Sequence, residues 1–97
     1  MSERGSDIEV TPADGGYRVD VHQASRTTTH VVTVPTDLVI GVGWERAGAE
    51  ALVRESFVFL LEREPASSIL RRFSLGVIGD YFPEYRAEIR RRVPAPP

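Results

Sequence analysis

The sequence predicts an α+β fold in which a three-stranded antiparallel meander packs on one long helix, followed by two or three short C-terminal helices. Two observations carry this prediction. In the first third of the chain, apolar and polar residues alternate with period two, which is typical of strands with one solvated face. From Ala49 to Arg92, nearly every large apolar residue recurs at helical spacing, which indicates amphipathic helices around a common core.

The meander is predicted from alternation, turn chemistry and β-branched residues. Pro12–Gly16 favours a turn, because proline fixes φ and glycine freely adopts positive φ. Thr27–Val34 is rich in β-branched residues and ends at Pro35. The three predicted strands span about residues 7–11, 16–22 and 27–34.

The pairing register of the second and third strands decides which side chains enter the core. If Ser25 lies in the middle of the turn, Val32 faces inward beside Tyr17. A slip of one residue would turn Val31 inward instead, because side chains alternate between the two faces of a sheet. The face that His30 occupies depends on the same register.

The second half of the chain is predicted to be helical. Thr36–Gly41 has an N-cap residue, an acid in its first turn and a closing glycine, and it predicts a single short helical turn. The long helix should begin at about Ala47 or Gly48 and run to Arg63, with Pro65 ending it. Short helices are then predicted from Ser67 or Ser68 to Phe73, from Leu75 to Phe82, and from Glu84 to about Arg92.

The apolar residues of the long helix cover an arc of roughly 200°, which is wider than one sheet face requires. We therefore expect this helix to pack on the sheet and also on the later helices or on a second copy of the chain. The predicted core consists of Tyr17, Val19, Val21, Leu52, Val53, Phe57, Leu60 and Leu61.

Composition predicts one domain over residues 1–97, with an ordered core at about 7–92 and frayed ends at 1–6 and 93–97. The absence of cysteine excludes disulfides and thiolate zinc sites. No apolar run approaches the roughly 18 residues that a membrane helix needs, and the polar start lacks the apolar segment of a signal peptide. The expected compartment is the cytoplasm. All 12 basic residues are arginine, which we interpret as the codon bias of a high-GC bacterium.

Few residues are candidates for chemistry. His22 and His30, with Asp20 nearby, would bind a metal only if both histidines shared one face of the sheet, and we favour two ordinary strand residues. Ser56 falls in the apolar arc of the long helix, where a buried serine usually bonds to the carbonyl four residues earlier. We predict no catalytic residue, no metal and no cofactor, and a protein that is not an enzyme.

The wide apolar arc and a cluster of aromatic residues predict a small non-enzymatic protein-interaction or accessory protein. The partner would be another protein or a second copy in a homodimer. Phe82 and Tyr85 have an alternative interpretation, in which they close the core under the long helix, and the arginine runs have one as a solvated surface. The predicted interaction residues are Trp44, Phe59, Arg71, Arg72, Tyr81 and Tyr85.

The motifs V-R-E-S-F-V-F-L-L-E-R-E-P, S-I-L-R-R-F and D-Y-F-P-E-Y resemble a group of short bacterial proteins of unassigned function. The resemblance covers most of residues 28–90. It implies an α+β domain and carries no activity with it.

A second resemblance covers Thr29 to Glu64, where H-V-V-T-V-P is similar to the strand of ribbon-helix-helix repressors and antitoxins. In that family the strands of two subunits pair, and their outward side chains read the major groove of DNA. The resemblance implies a DNA-binding regulator as the alternative function. Its groove-facing residues would be Thr29, Val31 and Thr33, or else His30 and Val32.

Overall fold

The computed structural model describes residues 6–94 as a four-stranded sheet with helices packed on one face. The strands, in the order β1-β2-β3-β4 across the sheet, are β1 (Ser6–Ala13), β2 (Gly16–Gln23), β3 (Arg26–Thr33) and β4 (Arg72–Ser74). The helices are α1 (Thr36–Gly41), α2 (Ala49–Leu61), α3 (Ile78–Tyr81) and α4 (Tyr85–Arg91), and 3-10 turns span Ala66–Ser68 and Leu75–Val77. Most of the ends predicted to fray, residues 1–5 and 95–97, lie outside the described residues, whereas Val93 packs against the core.

The antiparallel meander forms as predicted. Tyr17 pairs with Val32, and Val32 is fully buried while Val31 is not, so the register is the one that turns Val32 inward, with a two-residue turn at Ala24 and Ser25. The same register turns His30 inward opposite Val19, where it is 1% exposed. The helix-facing side of the sheet thus contains a buried histidine among apolar side chains such as Val19, Val21 and Val32.

The fourth strand was not predicted. The sequence favoured a helix up to Phe73, but the chain makes a single 3-10 turn and then extends, so that β4 pairs in parallel with Val31–Thr33 of β3. The physical reason is tertiary: the edge of β3 supplies hydrogen-bond partners, including a Val31 N–H that donates to the Arg71 carbonyl at 2.7 Å. These bonds outweigh the weak local preference for helix. Ser74 ends β4 and caps the 3-10 turn that follows, since its hydroxyl accepts from the Gly76 N–H at 3.3 Å.

The long helix α2 is buried on two sides. Toward the sheet, the Phe57 ring lies 5.3 Å from His30 and 6.0 Å from Phe73, measured between ring centroids. Toward the C-terminal helices, Phe59 makes edge contacts with Phe82 and Tyr85. Six of the eight predicted core residues are buried, and the other two, Tyr17 and Leu61, are partly buried.

The second side of α2 contains a buried polar pair. The Ser56 hydroxyl lies 2.7 Å from the Tyr85 hydroxyl, so the serine bonds across to α4 and not back along its own helix as expected. Burial raises the pKa of the Tyr85 hydroxyl to about 12, which keeps it protonated at neutral pH. One hydroxyl donates to the other, and α4 is thereby held in register with α2.

Two arginines, Arg63 and Arg92, connect the two ends of α4 to α2 and to the residues directly after it. The guanidinium of Arg92 donates to Glu62 at 2.7 Å, to Glu55 at 3.0 Å and to Glu88 at 3.1 Å. Arg63 donates to Glu84 at 2.9 Å, and its guanidinium carbon lies 3.7 Å from the centre of the Phe59 ring. A planar fork with several donors satisfies such a network, whereas an ammonium group would not match its geometry.

Truncation of α2 in the core should remove most of the stability of the fold. Phe57→Ala or Leu60→Ala leaves a cavity and is expected to lower the free energy of unfolding by about 2–5 kcal/mol. Ile40→Ala is the control, because Ile40 is 57% exposed, and it should cost under about 0.5 kcal/mol. Urea unfolding monitored by circular dichroism measures all three. A core variant as stable as the wild type would contradict the packing of α2.

Stability should fall at acidic pH in a manner that depends on Glu62. The hydrogen bond from Arg92 holds the pKa of this carboxyl below its ordinary value of 4.5. A carboxyl with a lowered folded pKa stabilises the fold above its unfolded pKa, and this contribution is lost as pH falls through the folded value. Glu62→Gln should therefore flatten the decline in unfolding free energy below about pH 4.5.

The matched control for this pH dependence is Glu45→Gln. Glu45 is exposed in the loop before α2 and makes no ion pair among the described residues. Thermal unfolding across the acidic range should give the same slope for Glu45→Gln as for wild type. A Glu62→Gln profile with the wild-type slope would show that the Arg92 network does not carry the effect.

Candidate functional site

An apolar groove of about 180 Å³ opens between the end of α2, the chain before β4, and α3. Two large apolar side chains stand exposed at this groove: Leu70 is 48% exposed and Tyr81 is 65% exposed. The remaining lining residues are Leu60, Glu64, Ser68, Ile69, Phe73, Val77, Ile78 and Phe82. The groove is thus a concave apolar surface with a single acidic side chain in its lining.

Three of the predicted interaction residues surround this region on the outside of the molecule. Tyr81 lines the groove, Arg71 is exposed directly before β4, and Arg72 is exposed as the first residue of β4. Neither arginine makes an ion pair or a side-chain hydrogen bond among the described residues. Leu70, which the sequence analysis did not single out, is the further member of this surface.

The other three predicted interaction residues belong to the core. Trp44 is buried, and its indole N–H donates to the Ile89 carbonyl at 2.9 Å. Phe59 is fully buried between Phe82 and Tyr85, and Tyr85 is fully buried with its hydroxyl on Ser56. The prediction that these three residues form an interaction surface is wrong because α4 covers the second side of α2, so the aromatic residues there close the core. The core-closure interpretation of Phe82 and Tyr85 is the one that the structure adopts.

The residues of the DNA-binding alternative lie on the outer face of the sheet. Thr29, Val31 and Thr33 alternate with the inward His30 and Val32. However, β3 lies between β2 and β4 and pairs with both, so its Val31–Thr33 edge is already occupied within the chain. An intersubunit ribbon would require that edge to be free.

The two histidines lie on opposite faces of the sheet. His22 is on the outer face, where its Nδ1 lies 2.9 Å from the Thr27 hydroxyl and its Nε2 lies 3.5 Å from Glu9. His30 is on the inner face, so the two rings cannot bind one metal ion. Within residues 6–94, no group of three or more His, Asp or Glu side chains is placed to hold a metal.

The buried His30 has a defined tautomer. Its Nδ1 lies 2.7 Å from the Leu70 carbonyl, which can only accept, so Nδ1 carries the proton. In the neutral ring, Nε2 then accepts from the Thr28 hydroxyl at 2.8 Å. His30 thus ties β3 to Leu70, one of the two exposed large apolar residues of the groove.

A second cavity, of about 340 Å³ and polar, adjoins the open part of β3. It lies between Arg26–His30 of that strand and the chain around the 3-10 turn, on the other side of Ile69 from the apolar groove. It is lined by Arg26, Thr27, Thr28, Thr29, His30, Ala66, Ser67, Ile69 and Arg71. The lining contains two arginines and no acidic residue.

Comparison of the chain with protein-family models, with curated proteins and with solved structures finds no match. Among the residues that the structure describes, no helix has the length and apolar character needed to cross a bilayer. The groove, the polar cavity and the residues that position them are thus the candidate functional features of the chain.

Replacement of His30 should loosen the segment that carries Leu70. His30→Leu leaves the Leu70 carbonyl and the Thr28 hydroxyl without their partner, and a buried unsatisfied group costs about 1–3 kcal/mol. We expect that loss of unfolding free energy, together with faster hydrogen exchange at the Val31 amide. His22→Leu, on the solvated face, is the matched control and should change stability by under about 0.5 kcal/mol. Equal effects of the two changes would contradict this role of His30.

Proposed function

We propose that this chain is a small non-enzymatic protein-interaction or accessory protein that binds another protein through the apolar groove. The observation that carries the proposal is the placement of Leu70 and Tyr81. Both are large, exposed and apolar, and both line the same concavity. Exposed apolar residues that stand singly are ordinary, whereas these two lie together at one concavity, and concave, mostly apolar sites are the usual form of a binding pocket.

The surroundings of the groove match the composition of protein interfaces. Aromatic and arginine residues are enriched at interface hot spots, and here Tyr81 stands in the groove while Arg71 and Arg72 stand in the segment beside it. These two guanidinium groups have no carboxylate partner in residues 6–94. A partner that places an apolar side chain in the groove and carboxylates beside it would fill the groove and pair with both guanidinium groups.

A non-enzymatic function is supported by how the polar side chains of the core are used. The Ser56 hydroxyl is buried and engaged by Tyr85. Both nitrogens of His30 are engaged, one by the Leu70 carbonyl and one by Thr28. These groups act as structural ties, and none of them faces the apolar groove as a reactive group.

The partner is either a second copy of this chain or a different protein, and solution mass separates these cases. Sedimentation of the wild type over a wide concentration range is compared with Leu70→Asp and with Ile40→Asp. Ile40 is the matched control, because it is 57% exposed and does not line the groove. If the partner is a second copy, the wild type and Ile40→Asp dimerise and Leu70→Asp stays monomeric.

If the wild type is monomeric, a photocrosslinking side chain at position 70 should capture a partner in the cells that produce the protein naturally. The same group at position 40 is the control, and Tyr81→Asp placed in the position-70 protein should abolish capture. Loss of about 2 kcal/mol from one hot-spot residue lowers affinity roughly thirtyfold. A monomer that gives the same crosslinks from positions 40 and 70 would contradict the proposal.

A further inference from the structure

The polar cavity beside β3 exists because β4 is short. It pairs only with Val31–Thr33, and the chain before it turns away from the first part of β3. Residues Arg26–His30 of β3 are therefore unpaired on this side in the described structure. The opening is about 340 Å³, within the size range of pockets that take small molecules.

The backbone of β3 presents polar groups to this opening. The Val31 N–H donates toward the β4 side of the strand, so every second residue from it, Thr29 and Thr27, presents its N–H and C=O in the same direction. The intervening residues Thr28 and His30 direct theirs to β2. The open edge thus offers two N–H donors and two carbonyl acceptors.

Two arginine side chains add hydrogen-bond donors to those of the strand edge in this cavity. Arg26 and Arg71 both line the cavity, and neither makes an ion pair or side-chain hydrogen bond among residues 6–94. Ser67 lines it as well, and its hydroxyl has no partner in the same residues. Elsewhere in the molecule, arginines such as Arg63 and Arg92 are held by glutamates.

The threonine hydroxyls, by contrast, are already used. Thr28 bonds to His30 at 2.8 Å, Thr29 donates to Asp20 at 2.8 Å, and Thr27 lies 2.9 Å from His22. The free polar groups of the cavity are therefore the two arginines, Ser67 and the strand edge. Two uncompensated positive charges facing one polar opening favour an anion with several acceptor oxygens.

We propose that this cavity binds a small phosphate monoester that also carries hydroxyl groups. The phosphate lies between Arg26 and Arg71, with Ser67 and the edge N–H groups as further donors. Three terminal oxygens and close to two negative charges use this number of donors, whereas a carboxylate has two oxygens and one charge. The Thr27 and Thr29 carbonyls accept from hydroxyl groups of the same ligand. This site is separate from the apolar groove.

The test is a titration of isotope-labelled protein with glycerol phosphate, followed by amide chemical shifts. Glycerol and acetate are the matched probes for the hydroxyl groups and for a simple anion. We expect saturable shifts at residues 27–30 and 66–71 with glycerol phosphate at millimolar or lower concentration. Glycerol and acetate should bind more weakly or not at all.

The variants are Arg26→Gln and Arg71→Gln, singly and together. Each removes one charge-assisted donor and is expected to weaken binding about tenfold or more. Arg72→Gln is the control, because Arg72 is the exposed neighbour of Arg71 and does not line the cavity. It should bind as the wild type does. All three arginines are exposed, and thermal melts verify that each variant is folded.

Several results would overturn this assignment. They are the absence of saturable shifts with glycerol phosphate, equal binding of acetate, and equal weakening by Arg72→Gln. A DNA duplex that shifts the same amides at lower concentration than glycerol phosphate would transfer the site to a nucleic-acid backbone. Arg71 is shared by the two proposals, so the apolar groove is tested separately through Leu70 and Tyr81, which do not line the polar cavity.

Discussion

The fold depends on the requirement that α2 be covered on two sides. Its apolar arc is too wide for the sheet alone, and the sheet takes the side that carries Phe57. The other side, with Phe59 and Ser56, is closed by α4 through Tyr85. Burial of the serine is tolerated because the tyrosine hydroxyl satisfies it. The position of α4 also fixes the loop after α1, because the Trp44 indole N–H donates to the Ile89 carbonyl of α4. The residues that remain exposed are those that none of these contacts covers.

Sequence patterns predict the elements whose stabilisation is local. The meander, its register at Val32, and the long helix follow from period two, from turn residues and from helical spacing. The parallel strand β4 does not, because three residues contain no periodic signal and their extended state comes from pairing with a strand far away in the chain. A single exposed-looking aromatic is equally ambiguous: Tyr81 and Tyr85 occur in one motif, yet one is on the surface and the other is fully buried. Only the position of α4 distinguishes them.

The two cavities share one structural origin. The segment between α2 and β4 turns once at Ala66–Ser68, extends, and presents opposite sides to two different environments. On one side Leu70 borders an apolar groove, and on the other Arg71 borders a polar cavity. The sequence predicts that Arg71 and Arg72 lie on the surface. No sequence pattern explains why their charges have no partner among the described residues. It missed Leu70, because an apolar residue beside two arginines is expected to be buried in the helix that was predicted there.

The parallel connection from β3 to β4 also has a kinetic consequence. The meander brings together residues that are close along the chain, so its loops close at small entropic cost and it can form early. The pairing of β4 closes a loop that contains α1 and α2, so we expect it to form late in folding. The groove and the polar cavity are both bounded by this last segment. A nascent or partly folded chain is therefore expected to lack the groove and the polar cavity, and with them both of the proposed binding sites.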